Sequence, residues 1–267
     1  MGHVTMRACA QAAYTSSTNG LFMVCYLLLC WNMMCRTENA ATVIFQHLHW
    51  VNDCLAVDCF ITKADQTASK SNQKHIYANP LDPLICPILA LGMYLIERPE
   101  AEATHVQNFV FPATKSKKKK SSTSRFLTGL KKLVSTANTL LAITIDCLKI
   151  GAHSLRKGAV TFAAGGSTMA PGIVSILLRA GWSLQGVENR YFKFEGAMDQ
   201  FLGRVICGLP INSGNFAILP PFFCMKTAED VAYISQGEFG NFCQCRVFDF
   251  DILQGLSNND FCVWKDG

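Results

Sequence analysis

The feature that most constrains the fold is a long apolar stretch from Leu21 to Cys35. It is shorter than the roughly 20 residues that a membrane-spanning helix needs, and it contains the polar Asn32. A helix that is apolar on all sides and does not cross a membrane has to lie inside a core. The stretch therefore predicts a buried core helix, which we place at residues 18–36, ending at Arg36.

Strand-like segments follow this helix. Residues 41–50, 54–63 and 74–80 carry the β-branched and aromatic bias that is typical of strands, and the last segment ends at a turn marked by Pro80 and Pro83. Three short strands in succession predict a small antiparallel sheet behind the first helix.

The rest of the chain is predicted to be mainly helical. Pro87 suits the first turn of a helix, and a helical pattern resumes further on, after a basic loop. The predicted helices span residues 86–98, 125–137, 153–165, 171–182 and 183–193. The expected fold class is therefore α+β, mainly helical, with one small three-stranded antiparallel sheet. Residues 223–267 show no clear period, and we assign them no role.

Cysteine and histidine usage bounds the redox compartment and the cofactors. Thirteen cysteines, an odd count in a long chain with no secretory signal, predict reduced thiols in an intracellular protein. Cys243 and Cys245 lack a second pair of zinc ligands, and a structural role is favoured for His47 and His49, so we expect no metal. The chain has no phosphate-binding glycine loop, so we also expect no nucleotide cofactor, and we find no targeting peptide or membrane anchor.

Basic residues concentrate in one part of the chain. The formal net charge is +5, which favours a polyanionic partner without demanding one. A lysine run at 115–120 reads in isolation as a solvated linker, but contact with phosphate becomes the better interpretation beside the residues described next. The expected DNA contacts are Lys117, Lys118, Lys119, Lys120, Arg125, Lys131 and Lys157.

One ordered set of residues carries chemical information. His153 and Arg156 form a His-x-x-Arg pair, Gly181 and Trp182 follow after an intervening helix, and Tyr191 comes nine positions after Trp182. Each residue alone has an ordinary explanation as a surface charge or a core aromatic. Together, in this order and at this spacing, they indicate a site.

This set resembles the catalytic domain of tyrosine recombinases, the DNA strand-exchange enzymes of the phage-integrase superfamily. The family adds an arginine at the end of a helix before the sheet and a lysine in the turn between the second and third strands. Arg36 and Lys63 occupy those places, with Lys70 and Lys74 as alternatives for the lysine. Glu38 lies one position earlier than the acidic residue that usually orients the family arginine.

The sequence beyond this set is also similar to that of recombinases from eukaryotic mobile elements of the Crypton type. Segments such as HIYANP at 75–80, RAGWS at 179–183 and DQFLGRVICGLP at 199–210 carry this resemblance, which covers about residues 18–222. Residues 1–17 are then an N-terminal remnant. The family usually places a DNA-clamping domain before the catalytic one, and its lack here implies a truncated gene model or a truncated element.

The residue types suit metal-free cleavage of a phosphodiester. Arginine forks such as Arg36 and Arg156 clamp phosphate oxygens, and the His153 imidazole and the Trp182 indole donate further hydrogen bonds. The resemblance implies that Tyr191 attacks to form a 3′-phosphotyrosine and that Lys63 protonates the leaving oxygen. No cofactor is needed.

The expected partner is double-stranded DNA, bound by a homo-oligomer, a tetramer in this family, in the nucleus. Two alternatives stay open, namely a type IB topoisomerase that relaxes DNA by the same chemistry and a non-catalytic DNA-binding remnant of a mobile element.

Overall fold

The computed structural model describes residues 1–16, 19–59, 72–97, 109–113, 121–142, 144–146, 149–182 and 196–219. Within these ranges the protein is mainly helical, with one three-stranded antiparallel sheet, so the predicted α+β class is confirmed. The helices are α1 His3–Tyr14, α2 Gly20–Asn32, α3 Thr37–Ala41, α4 Pro87–Ile96, α5 Ser122–Leu141, α6 Ala152–Gly165, α7 Ile173–Ala180 and α8 Gly196–Ile206. The strands are β1 Leu48–Val51, β2 Cys54–Cys59 and β3 Asn72–Ile76.

Helix α2 is the centre of the core. Twelve of its thirteen residues are buried, as expected for a helix that is apolar on all sides. The predicted end at Arg36 is wrong, because the helix stops at Asn32. Met34 takes a left-handed backbone conformation (φ 49°), and the Cys35 amide bonds back to the Cys30 carbonyl at 3.3 Å. The helix thus ends at a residue in the left-handed conformation, a position that glycine usually occupies.

The sheet has the predicted order and direction but shorter strands. β1 pairs with β2 and β2 with β3, both antiparallel, with Val57 opposite Leu48 on one side and Lys74 on the other. The first strand was predicted from residue 41, yet residues 45–47 form a 3-10 turn and the strand begins at Leu48. The third strand ends at Ile76 rather than at Pro80.

The N-terminal helix α1 had no counterpart among the predicted elements. It packs against α2 and α5 through small side chains such as Ala10 and Ala13, which are fully buried. Alanine gives a weak apolar signal, so the sequence pattern did not reveal this helix. The predicted helices at 86–98, 125–137, 153–165 and 171–182 are confirmed with small changes of their ends. The predicted helix at 183–193 lies outside the described residues.

Close packing brings α8 against the sheet. A Cβ atom placed on Gly203 of α8 would lie 2.3 Å from the backbone oxygen of His75 on β3, which is closer than real atoms approach. Only glycine allows this contact, so the sequence sets the distance between helix and strand. α8 also packs against α6 and α7.

The described part of the chain has no helix long and apolar enough to cross a membrane. Seven cysteines in these ranges are buried: Cys9, Cys25, Cys30, Cys35, Cys54, Cys86 and Cys207. Buried thiols of this kind pack as small apolar side chains.

Candidate active site

The C-terminal end of α7 presents Trp182. Gly181 has φ +63°, a left-handed conformation that favours glycine, and its amide bonds to the Leu178 carbonyl at 2.9 Å. The amide of Trp182 bonds to the Leu177 carbonyl, also at 2.9 Å. This pair of bonds is a Schellman motif, which ends the helix sharply. The Gly-Trp pair therefore turns the chain and leaves the indole 39% exposed.

Arg156 on α6 reaches the same place. Its side chain is buried, one Nη atom donates to the backbone oxygen of Ala180, and its guanidinium carbon lies 5.2 Å from the centre of the Trp182 ring. That separation is within the range of a cation–π contact. Two members of the predicted set, distant in sequence, are thus brought together.

Arg36 is the second arginine of this cluster. It directly follows the turn that ends α2 and stands at the N-terminus of α3, half-buried. Burial lowers the pKa of Arg156, and the positive charge of Arg36 lowers it further. The Nε atom of each arginine is buried and has no hydrogen-bond acceptor among the described residues.

No carboxylate neutralises this pair within the described residues. Glu38, the acidic residue nearest to Arg36 in the sequence, is exposed and forms no ion pair with it. Two like charges with unused donors are unfavourable in a half-buried place unless an anion joins them. The arrangement fits a phosphate group, which offers several acceptor oxygens.

His153 lies one helical turn before Arg156 on α6, so the two residues share a face of the helix. Its side chain is exposed. The His153 imidazole is therefore open to solvent on the face of α6 that also carries Arg156.

Lys74 is the one described member of the three alternative lysines, because Lys63 and Lys70 lie outside the described residues. Its ammonium group is buried and donates to two backbone oxygens, those of Met33 at 2.7 Å and Arg179 at 2.9 Å. A lysine held by two carbonyls at helix ends has a structural task. Of the three lysines that the sequence offered as alternatives, Lys74 is thus engaged by the protein itself.

The pKa of the Cys35 thiol is lowered by groups around it. A hydrogen bond from Cys30 lowers its pKa, burial acts in the opposite direction, and the charges of Lys74 and Arg156 lower it further. Cys35 directly precedes Arg36 in the chain.

Three of the predicted DNA contacts lie within the described residues, and they differ in exposure. Lys131 and Lys157 are exposed, as a contact to the DNA backbone requires. Arg125 is half-buried, and its guanidinium stacks on Phe22 at 3.5 Å, so this side chain supports the core. The residues Lys117, Lys118, Lys119 and Lys120 lie outside the described residues, as does Tyr191.

The start of α5, just after the lysine run, is tied to the segment that carries Arg36. The hydroxyl of Tyr26 donates to the Thr37 carbonyl at 2.6 Å and lies 3.2 Å from the hydroxyl of Thr123. The chain therefore emerges from the lysine run next to α3.

A buried ionic network beside the site was missed from the sequence. Arg179, Asp199 and His75 are all buried and bonded to one another. The available signal was an arginine in the otherwise apolar helix IVSILLRA, but sequence alone did not give its partners. His49 contacts Asp58 at 3.4 Å and Gln73 at 2.8 Å, and the described residues contain no group of three or more potential metal ligands.

No family model matches the sequence, and no curated protein matches it either.

Proposed function

We propose that this protein is a tyrosine recombinase, which cleaves and rejoins DNA strands through a covalent 3′-phosphotyrosine intermediate on Tyr191. Strand exchange during integration or excision of a mobile element is the biological setting that we infer. The order and spacing of the predicted residues support this function, together with the placement of those that are described.

The observation that carries the proposal is the contact of Arg156 with Trp182, together with the buried Nε donors of Arg156 and Arg36, which are unused in the part of the chain that the structure describes. Each arginine has a buried Nε donor without an acceptor among the described residues, and the charge of Arg36 lowers the pKa of Arg156. A phosphodiester would supply the acceptors and neutralise both charges. In the pentavalent transition state the phosphate oxygens gain charge, so the same donors would bind it more strongly than the ground state.

Neighbouring side chains complete the proposed chemistry. The Trp182 indole N–H can only donate a hydrogen bond, which suits an oxygen of the phosphate. A tyrosine phenol in a model peptide has a pKa of about 10. Attack by Tyr191 would therefore need a proton acceptor or a stabilising positive field. His153 and the two arginines are the proposed source of both. A lysine from the segment between β2 and β3 would protonate the departing 5′ oxygen.

The decisive experiment is covalent trapping on a nicked duplex, a suicide substrate whose cleaved fragment diffuses away and prevents rejoining. We expect the wild-type chain to form an adduct that migrates as a protein–DNA species, and Tyr191→Phe to form none. Tyr14→Phe is the matched control, because the Tyr14 hydroxyl is buried and has no hydrogen-bond partner within the described part of the chain. It should form the adduct at the wild-type rate.

The same assay separates the rival functions. Binding in a gel shift without an adduct from wild-type protein would contradict the proposal and indicate a non-catalytic DNA-binding protein. An adduct together with relaxation of supercoiled DNA, but no exchange between two sites, would indicate a topoisomerase. Exchange of strands between two labelled duplexes is the result expected of a recombinase.

A further inference from the structure

Arg179 near the end of α7 uses all of its hydrogen-bonding capacity inside the protein. Its Nε and Nη2 atoms donate to the Asn32 carbonyl at 3.2 and 2.8 Å, and Nη2 also donates to the His75 carbonyl at 2.9 Å. Its Nη1 donates to the Asp199 carbonyl at 3.2 Å and lies 2.6 Å from the Asp199 carboxylate. A guanidinium has five N–H donors, and each one has an acceptor here.

Asp199 at the start of α8 completes the charge balance. Its carboxylate accepts from the His75 amide at 2.8 Å and contacts the His75 ring nitrogen Nδ1 at 2.9 Å. Burial raises the pKa of this carboxyl, but the charge of Arg179 and the bonds from His75 outweigh that effect, and the net pKa is lowered. Asp199 is therefore ionised and bonded to both β3 and α7.

Lys74 adds a second connection between the same helices. Its ammonium joins the Met33 carbonyl, just after α2, to the Arg179 carbonyl in the last turn of α7. Carbonyls at the end of a helix lack partners within the helix and carry partial negative charge. Lys74 and Arg179 thus cap and join the C-terminal ends of α2 and α7.

The segments joined in this way are the ones that lead into the candidate active site. Arg36 follows the end of α2 by four residues, and Trp182 follows the end of α7 by two. α8, which Asp199 anchors, begins five residues after Tyr191. A shift of one helix end against the other would change the distance between Arg36 and the Arg156–Trp182 pair.

We propose that Arg179 is a positioning residue of the active site, which with Lys74 fixes the spacing between the phosphate-binding arginines by locking the ends of α2 and α7 together. This proposal rests on the function proposed above. Arg179 touches no substrate, since every donor is occupied within the protein. It acts through the placement of Arg36, Arg156 and Trp182.

The test compares the same substitution at two sites. Arg179→Lys keeps the charge opposite Asp199 but has three donors in place of five, so the link to Asn32 or His75 is lost. Arg7→Lys is the matched control, because Arg7 forms an exposed ion pair with Asp82 at 2.7 Å on the surface. Adduct rates and DNA affinities of both variants and of wild-type protein are measured below their midpoints of thermal unfolding.

Two readouts are measured on each protein. The first is the affinity for inorganic phosphate, taken from the rise in unfolding temperature with phosphate at constant ionic strength. The second is the rate of adduct formation at saturating suicide substrate, measured beside the affinity for the DNA. For Arg179→Lys we expect about a tenfold loss of phosphate affinity and up to about a hundredfold loss of rate, because small displacements of catalytic groups have effects of that size. DNA affinity should change little, because exposed lysines supply most of it.

A folded Arg179→Lys protein with wild-type phosphate affinity and adduct rate would overturn the proposal and leave Arg179 a residue of stability alone. If that variant does not fold, the double variant Arg179→Met and Asp199→Leu serves instead, because apolar side chains can replace a buried ion pair without loss of stability. The same losses are expected of it. If wild-type protein binds phosphate but forms no adduct, only the proposed function is contradicted. The phosphate affinity of Arg179→Lys relative to wild type would then show whether Arg179 positions the arginines. Wild-type protein that does neither would contradict both.

Discussion

The arginine Arg179 and the arginines Arg36 and Arg156 differ in how the protein satisfies their hydrogen-bond donors. Arg179 is fully buried, and all five of its N–H donors meet protein acceptors, including a carboxylate. The positive charge of Arg36 lowers the pKa of Arg156, and each of these two arginines keeps a buried Nε donor without an acceptor among the described residues. The first arrangement holds a structure together, and the second is suited to a ligand that brings acceptors of its own.

The two sets of arginines should differ in how much their substitution changes the free energy of unfolding. A buried charge with its partners in place is strongly destabilised when one partner is removed, because the other remains unpaired. A charge that repels its neighbour has no such partner to lose. Substitutions at the buried network should therefore cost stability, and substitutions at the arginine pair should cost ligand binding instead.

The largest effect is expected from Asp199→Ala. This change leaves Arg179 charged and buried without its carboxylate, and removes the acceptor of the His75 amide. Loss of one member of a buried pair costs about 3–5 kcal/mol. Urea unfolding followed by circular dichroism measures this loss. A change below about 1 kcal/mol, the range of an exposed ion pair, would show that water reaches the network, and the contrast would fail.

A somewhat smaller effect should follow from acid, since a protonated Asp199 still keeps part of its hydrogen bonding. The pKa of Asp199 is lower in the folded protein than its ordinary value of 3.8, so its contribution to stability is complete above that value. The contribution is lost as the pH falls below 3.8 and through the folded pKa. The free energy of unfolding, measured between pH 6 and pH 2, should fall over that range. Asp199→Asn is the control and should show a shallower fall, and an equal slope in both proteins would contradict the assignment.

Periodicity was enough to predict much of the fold. The apolar run of α2 and the three β-rich segments each specify one element, because burial on every side or alternate burial leaves a pattern in the sequence. The end of α2 could not be found in this way, because Met34 takes the left-handed position where glycine or asparagine would normally give the signal. The alanine-rich α1 lacked a clear apolar stripe.

Part of the candidate site could also be predicted from the sequence. Sequence order and spacing singled out Arg156 and Trp182, and the family resemblance added Arg36. The fold brings Arg156 into contact with Trp182, and the charge of Arg36 lowers the pKa of Arg156. The partners of Arg179 are contributed by α2, β3 and α8, so no local pattern could reveal them. The same holds for Lys74, whose type suggested an acid for the leaving group but whose contacts are those of a helix cap.

A moderate effect is expected at the turn between the two groups. Gly181→Ala forces a Cβ into a left-handed conformation (φ +63°), which costs roughly 1–2 kcal/mol. The new Cβ meets the Arg156 Nη2 atom at an ordinary 3.8 Å, so strain in the backbone rather than a clash sets the cost. Gly165→Ala is the matched control, because a Cβ there meets no atom within 4 Å and its φ is not positive. Thermal unfolding of both variants measures the difference, and equal midpoints would show that Gly181 is not required for the turn.

The smallest effect on stability, and the sharpest test of the comparison, is expected from Arg36→Met. Methionine keeps most of the apolar stem of the side chain but removes the charge that repels Arg156 and the unpartnered Nε donor. The free energy of unfolding should therefore change by less than about 0.5 kcal/mol, or rise. Phosphate should raise the unfolding temperature of the wild-type protein but not that of this variant. The companion variant Arg179→Met should show the reverse, with a large loss of stability. If Arg36→Met instead unfolds as readily as Arg179→Met, then Arg36 is held by partners of its own, and the unpaired arginines do not mark a ligand site.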